Sequence, residues 1–194
     1  MQGRWEDVEA TMVAMAGADL AEGRPITPLL AAFAGDHLRF FAFLRPFAKG
    51  EHGDALVELL ALAMPLDADR LGLSLSARVW SLDDPIPPVS AAGDLRQRAL
   101  VCAFVDGTVG RPREETVFHP YDLVDGEVRW HPPQRLGGGQ GFVLAALVLA
   151  VRRRHQLRCD DAQILQQATR CVRLGHDLHL APDVRARLAA GVGP

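Results

Sequence analysis

Residues 70–89 show the clearest alternation of apolar and polar positions in the chain. One side of this segment carries Leu71, Leu73, Leu75, Ala77 and Val79, and the other carries Ser74, Ser76, Arg78 and Trp80. Because side chains of a strand point alternately to its two faces, the pattern predicts a half-buried β-strand, or a tight hairpin that turns near Ser76. The segment then runs into Asp83-Asp84-Pro85, where pairing must stop because proline lacks a ladder donor. We therefore expect Arg78, Trp80, Asp83 and Asp84 at an edge or end of a sheet.

Two other segments, residues 37–45 and 98–105, are apolar on both faces and are predicted as central strands. After the first of them, Asp54 is a fair N-cap for a helix that is apolar nearly all round and ends at Pro65. The connection from residue 45 to residue 70 has 26 residues, counted inclusively. That length suits a buried crossover helix between neighbouring parallel strands.

The dipeptide Asp125-Gly126 is the strongest short hairpin signal in the chain. A two-residue turn fixes the register of the flanking strands, residues 114–124 and 127–131. The paired positions are then Val124 with Glu127, Asp122 with Arg129, and Tyr121 with Trp130. An opposite-charge pair and an aromatic pair that fall into register together support this interpretation.

Helical periodicity and capping signals predict further helices at residues 5–22, 142–154, 160–174 and 183–190, and a short one at 28–33. Asp160, with Gln163 three residues on, indicates a capping box at the start of the third of these helices. Residues 132–141 are rich in glycine and proline and read as a linker. The sequence thus predicts an α+β (or α/β) fold with a single mixed sheet of five to six strands and a buried crossover helix. Residues 1–131 form the sheet domain with its N-terminal helix, and residues 142–194 form a C-terminal helical hairpin packed on the same domain.

Composition and charge narrow the possible partners. The chain has 194 residues and a net charge of −3, which argues against nucleic acid or an anionic membrane as the main partner. Its longest apolar run, residues 142–151, is far shorter than the about 20 residues of a membrane span. Three cysteines without a signal peptide favour a reducing cytoplasm. Twenty arginines against one lysine indicate the codon bias of a GC-rich bacterial genome.

Several motifs resemble known sites without matching them. The glycine-rich run 137–141 fits neither phosphate-binding fingerprint and is better explained as part of the linker. The spacing of Cys171, His176 and His179 fits no common zinc pattern, so no metal and no cofactor are predicted. His52 and Glu58 admit an acid–base pair, although a glutamate at such a place more often marks the solvated strip of its helix.

The most site-like group is Asp83 and Asp84 together with His119 and His131. The two histidines fall on adjacent strands of the predicted hairpin, and carboxylates near imidazoles bind divalent metals or transfer protons. The same carboxylates equally suit a structural role, in which they cap the proline turn through bonds to backbone N–H groups or pair with Arg96 or Arg98. Both interpretations stay open at this point.

Two functions are compatible with the sequence. The first is a non-catalytic interaction or regulatory domain that binds a protein partner or associates with itself, for example as a homodimer. Arg78, Trp80, Tyr121 and Trp130 are its candidate binding residues, since arginine and aromatic residues anchor interfaces and these aromatics are expected on a solvent-facing side of the sheet. The alternative is a small-molecule hydrolase or metal-dependent enzyme that uses Asp83, Asp84 and His119.

Overall fold

The computed structural model describes residues 4–48, 51–79, 89–90, 93–94, 96–108, 110–137 and 142–191. Its helices are α1 (Trp5–Ala21), α2 (His52–Ala63), α3 (Phe142–Arg153), α4 (Asp161–Arg173) and α5 (Pro182–Ala190), with a 3-10 turn at Arg154–Gln156. Its strands are β1 (Leu29–Ala34), β2 (His37–Phe43), β3 (Arg70–Val79), β4 (Val89–Ser90), β5 (Gly93–Asp94), β6 (Gln97–Asp106), β7 (Arg113–Val124), β8 (Glu127–Trp130), β9 (Gln134–Gly137) and β10 (Asp177–Leu180).

The predicted α+β class is confirmed, but the sheet differs from the predicted one. Among the described residues the main sheet has eight strands rather than five or six. The order is β10-β2-β1-β3-β6-β7-β8, with β9 also pairing to β7, and every pairing is antiparallel rather than mixed. The short strands β4 and β5 pair with each other in a separate sheet.

The largest error concerns residues 28–33, which form β1 and not a helix. β1 lies between β2 and β3 and is antiparallel to both. The strands joined by α2 are therefore parallel to each other but are not neighbours. The apolar run 29–33 is too short to distinguish a helix from a buried strand. The turn after it, Gly35-Asp36, is a two-residue hairpin turn with Gly35 at φ +56°.

Helices cover both faces of the sheet. α1 packs on one face, where its apolar residues contact Phe33, Leu100 and Phe104. We call this the α1 face. The helices α2 to α5 pack on the other face, which we call the helical face, against Leu71 and Leu73 among others.

β3 alternates as predicted, with Leu71, Leu73 and Leu75 towards the helical face. The expectation of a half-buried strand is wrong for its first half, because Ser74 on the opposite side is only 2% exposed beneath α1. Ser76, one alternation further along, is exposed. β3 is thus buried from Arg70 to Ser74 and partly exposed beyond Ser74.

The Asp125-Gly126 hairpin is confirmed in type and in register. Asp125 and Gly126 have φ values of 52° and 85°, and the three predicted pairs of β7 and β8 are the observed ones. The predicted linker contains β9, which pairs with β7. The capping box of α4, between Asp160 and Gln163, is present as expected.

The C-terminal segment adds helices and one strand to the helical face. α3 and α4 follow each other through a short connection and both contact α2. The strand β10, which the sequence did not predict, lies between α4 and α5 and pairs with β2. None of the helices in the described ranges is both long and apolar enough to cross a membrane.

Candidate functional site

Three of the predicted site residues, Trp80, Asp83 and Asp84, lie outside the described residues. The distance between His119 and Asp83, on which the enzymatic hypothesis depends, therefore stays untested.

The two histidines of that hypothesis are on opposite faces of the sheet. His119 faces α1, where its Nε2 is 3.1 Å from Oε1 of Glu9. His131 hydrogen-bonds through Nε2 to Oδ2 of Asp122 at 2.8 Å. This bond lowers the pKa of the Asp122 carboxyl. Because Asp122 and Tyr121 alternate along β7, His131 and His119 project to different sides, and the expectation that they lie near each other is wrong.

The predicted binding residues Arg78, Tyr121 and Trp130 form one row across the α1 face. Register places Arg78 opposite Arg98, Arg98 opposite Tyr121, and Tyr121 opposite Trp130. The two aromatic rings pack with centroids 5.3 Å apart. Tyr121 is only 4% exposed and Trp130 packs against the same core, so the expectation that these aromatics face solvent is wrong. They support α1, and Arg78 lies at the uncovered end of the row.

A cluster of a glutamate, an arginine and a histidine lies on the α1 face. Arg135 on β9 donates through Nη2 to both carboxylate oxygens of Glu9 on α1, at 2.9 and 2.8 Å. Its Nη1 donates to Glu115 at 2.8 Å. The buried Nε2 of His119 makes no hydrogen bond of good geometry within the described residues, although Oε1 of Glu9 lies 3.1 Å away. Burial lowers the pKa of His119 from its ordinary value.

A second cluster of the same three residue types lies on the helical face. Arg45 donates to both carboxylate oxygens of Glu58 on α2, at 2.9 and 3.0 Å. The buried ring of His176 accepts from the backbone N–H of Arg45 at Nδ1, so its Nε2 carries the proton donated to Glu58. The hydrogen bond from Arg45 is the main cause that holds the pKa of Glu58 below its ordinary value. This corrects the prediction of a solvated glutamate, since Glu58 organises a closed network.

The thiols near these clusters are poor nucleophiles. Burial raises the pKa of Cys102 to about 12 and that of Cys171 to about 11. Cys171 packs with its Sγ 3.5 Å from the carbonyl oxygen of Glu58. A reactive cysteine needs the opposite shift. Within the described part of the chain, no three histidine, cysteine or acidic side chains are grouped so as to hold a metal ion.

A deep apolar groove opens beside the end of β3. Its volume is about 870 Å³, within the roughly 300–1,000 Å³ typical of ligand pockets. The groove lies on the helical face between α2, β3, α3 and the segment 25–28. Its apolar walls include Ile26, Leu44, Phe47, Leu56, Leu75 and Val143. Thr27, Arg45, His52 and Ser76 contribute polar groups.

A smaller groove of about 370 Å³ lies on the α1 face of the same strand end. Arg24, Arg78 and Arg98 line it, and it shares Ser76 with the apolar groove. Arg24 is paired with Asp19. The Arg98 guanidinium has no acidic partner among the described residues. The two grooves therefore meet at Ser76, one apolar and one basic.

The sequence pointed to Arg78 but not to the grooves around it. Arg98 is predicted as the start of a strand and as an alternative ion partner of Asp83 and Asp84, while Pro25 is predicted to end one helix and Pro28 to begin another. One signal was present, because Pro25 and Pro28 precede β1 and proline resists continuation of a paired strand. Comparisons of this chain with protein-family models, curated proteins and solved structures find no match.

Proposed function

We propose that this protein is a non-catalytic interaction domain that binds a segment of a protein partner in the apolar groove beside β3. The observation that carries the proposal is the groove itself, a large apolar concavity with few polar groups. This combination is the usual property of a recognition site. A partner segment that places apolar side chains there removes them, and the groove walls, from water.

The ionisable groups around the groove support binding over catalysis. Arg45 at its rim is held by Glu58, and that pair is completed by His176. The thiol of Cys171 in the same network has a raised pKa, whereas a catalytic nucleophile needs a lowered one. These side chains stabilise the fold around the groove.

Selection from a displayed peptide library against the purified protein tests the proposal. Phe47 lines the groove and is only partly buried, so Phe47→Ala removes binding surface without emptying the core. We expect selected peptides to bind Phe47→Ala about tenfold or more weakly, a loss of about 1.4 kcal/mol. The matched control is Leu149→Ala, an exposed leucine on α3 that does not line the groove.

Two outcomes would contradict the proposal. One is a selection that enriches no peptide, and the other is a set of peptides that bind Phe47→Ala and the parent equally. Light scattering over a range of concentrations tests the alternative that the partner is a second copy of the chain, which predicts a concentration-dependent mass.

One observation favours the enzymatic alternative, namely the buried, unpartnered Nε2 of His119. If Asp83, Asp84 and His119 hold a divalent ion, Zn²⁺, Mn²⁺ or Mg²⁺ at a hundredfold excess over Kd stabilises the fold by about 2.7 kcal/mol. A thermal shift with each ion, absent in the variant carrying Asp83→Asn and Asp84→Asn, would establish that alternative. We expect no shift.

A further inference from the structure

We propose that the partner segment binds as an additional β-strand along the open edge of β3, and that its side chains alternate between apolar and acidic. The inference rests on the interaction function proposed above. It adds the conformation of the bound segment and its chemistry.

The first step is that β3 extends beyond its neighbour on one side. β6 pairs with β3 along its whole length, to the pair Val79 and Gln97. On the other side β1 stops at the pair Leu29 and Ser74. Within the described chain, the residues of β3 just beyond Ser74 therefore have a paired strand on one side only.

The second step is that Ser76 points its backbone N–H and C=O towards the open side. Gly107 N–H donates to the carbonyl of Asp69, so this carbonyl, and both main-chain groups of every second residue from Leu71 onward, point towards β6. Leu44 N–H donates to the carbonyl of Pro28, so Leu29, the next residue, bonds towards β3 at Ser74. Both patterns assign Ser74 and Ser76 to the side of β1. Ser76 is exposed and has no strand opposite it there.

An unpaired donor and acceptor on an exposed strand edge are the groups that recognise an extended peptide. In strand addition, main-chain hydrogen bonds provide affinity and pockets for alternate side chains provide specificity. Here both parts are present together, because the apolar groove reaches the same position, Ser76.

The third step concerns the side chains of the added strand. On β3, Leu75 projects into the apolar groove on the helical face, whereas Ser76 projects to the α1 face. A paired strand alternates in the same way. Every second side chain of the bound segment thus enters the apolar groove, and the remaining ones lie over the basic groove on the α1 face.

The basic groove selects acids at those remaining positions. Arg98 stands directly opposite Arg78 on the neighbouring strand, and both side chains line the basic groove. Arg98 has no acidic partner among the described residues. Ser76 lines the same groove, in the row beside Arg78 and Arg98. Because serine is small, a glutamate of the partner can extend past it to the guanidinium of Arg98.

Synthetic peptides test the proposal directly. The first has about six residues, a typical strand length, with alternating valine and glutamate. The second has the same composition arranged with helical periodicity, and the third has lysine in place of glutamate. By fluorescence anisotropy we expect the first to bind at least about tenfold more tightly than either of the others.

Two pairs of variants separate the contributions. Ser76→Pro removes the edge N–H, which lies beyond the last pair of β1 and β3 in the described chain, whereas Ser76→Ala keeps it. We expect the first to abolish binding of the alternating peptide and the second to preserve it. Arg98→Gln should bind that peptide more weakly and should no longer prefer it over the peptide that has lysine in place of glutamate. The control Arg129→Gln, an arginine paired opposite Asp122 on the hairpin, should change neither.

N-methylation of alternate backbone nitrogens of the peptide provides a second test that does not depend on the folding of Ser76→Pro. Methylation on the edge that faces β3 should abolish binding, and methylation on the other edge should not.

If both methylated peptides bind as tightly as the parent peptide, strand addition is wrong. If binding depends on Phe47 but not on these nitrogens or on peptide periodicity, this inference fails while the interaction function stands. If no peptide binds, or the groove is filled by a second copy of the chain in solution, both the peptide site and this inference fail.

Discussion

The two Glu–Arg–His clusters, one on each face of the sheet, use the same residue types to different effect. In the cluster on the helical face, each group has a partner. The fully buried His176 uses both ring nitrogens, and Arg45 and Glu58 meet through two hydrogen bonds. In the cluster on the α1 face, Glu9 and Arg135 pair as well, but the ring nitrogen Nε2 of His119 is buried without a hydrogen bond.

The difference follows from how each histidine is held. His176 directly precedes β10, and the pairing of β10 with β2 brings its ring to the backbone N–H of Arg45 just beyond β2. His119 is in the middle of β7, where the sheet alone sets its direction and α1 supplies the neighbouring carboxylate. A hydrogen bond from a backbone N–H to one ring nitrogen fixes the tautomer of a histidine. A buried histidine without such a bond is held by packing alone. Residue composition therefore does not decide whether such a cluster stabilises a protein.

The largest expected effect is loss of the closed network. Glu58→Leu leaves the buried Nε2–H of His176 and the guanidinium of Arg45 without their acceptor. We expect the free energy of unfolding, measured with urea, to fall by about 3 kcal/mol. Glu58→Gln retains an acceptor oxygen and should lose clearly less. Equal losses in the two variants would show that charge alone, and not the hydrogen bonds, holds this cluster.

The corresponding change on the α1 face should cost less. Arg135 is about half exposed and keeps its second acid, Glu115, so Glu9→Leu leaves no fully buried charge unpaired. We expect a loss of about 1 kcal/mol in the same urea measurement. Glu6→Leu, on the exposed side of the same helix, is the control and should have almost no effect. A loss as large as that of Glu58→Leu would remove the distinction between the clusters.

Acid should affect the two clusters in different pH ranges. The pKa of His119 is lowered from 6.5 by burial, so the unfolded chain binds the proton more readily than the fold does. The stability it contributes is complete above pH 6.5 and is lost as the pH falls towards the lowered value, with a slope of at most about 1.4 kcal/mol per pH unit. Glu58 has a pKa below 4.5, so its contribution is lost only in more acidic solution.

Urea unfolding at a series of pH values separates these two steps. The step that begins near pH 6.5 should be absent from His119→Leu, while the acidic step should be smaller in Glu58→Gln, where Asp19 and Asp122 still contribute to it. A parent protein whose stability is flat between pH 7 and pH 5 would contradict the assignment to His119.

The smallest expected effect is that of His119→Leu at pH 7.5. Replacing a buried group that lacks a hydrogen bond with an apolar one of similar size is nearly neutral, or stabilising by up to about 1 kcal/mol. His176→Leu is the matched comparison and should be clearly destabilising, because it leaves the backbone N–H of Arg45 without an acceptor and removes one of the donors to the Glu58 carboxylate. If the two substitutions have the same effect, His119 has a partner after all.

Local signals predicted local structure well. The Asp125-Gly126 turn, the register of its two strands and the capping box at Asp160 involve residues only a few positions apart, where backbone geometry leaves few alternatives. The prediction of a helix at the position of β1 is wrong for two reasons. The apolar run is short, and the glycine of the Gly35-Asp36 turn also suits the end of a helix. The order of the strands depended on that one element.

The clusters and the grooves were beyond sequence reasoning for a different reason. Glu58 and His176 are 118 residues apart, and Glu9 and Arg135 are 126 apart. The sequence around Glu58 does not indicate its partners, which are His176, just before β10, and Arg45, just beyond β2. Arg98 similarly lies near an open strand edge only because β1 ends early. The sequence around residue 98 does not indicate where β1 ends.

The pairing of β10 with β2 also has a consequence for folding during synthesis. Arg45 and His176, which meet at this edge, are 131 residues apart, so β2 leaves the ribosome long before its partner exists. Contacts of such long range close late, because the loop entropy must be overcome before the contact stabilises the chain. In the nascent chain, β2 thus lacks its neighbour β10. The apolar side chains of α2 stay exposed until α4 and α5 have been synthesised. This stage of biogenesis is when the protein is most exposed to chaperones and to aggregation.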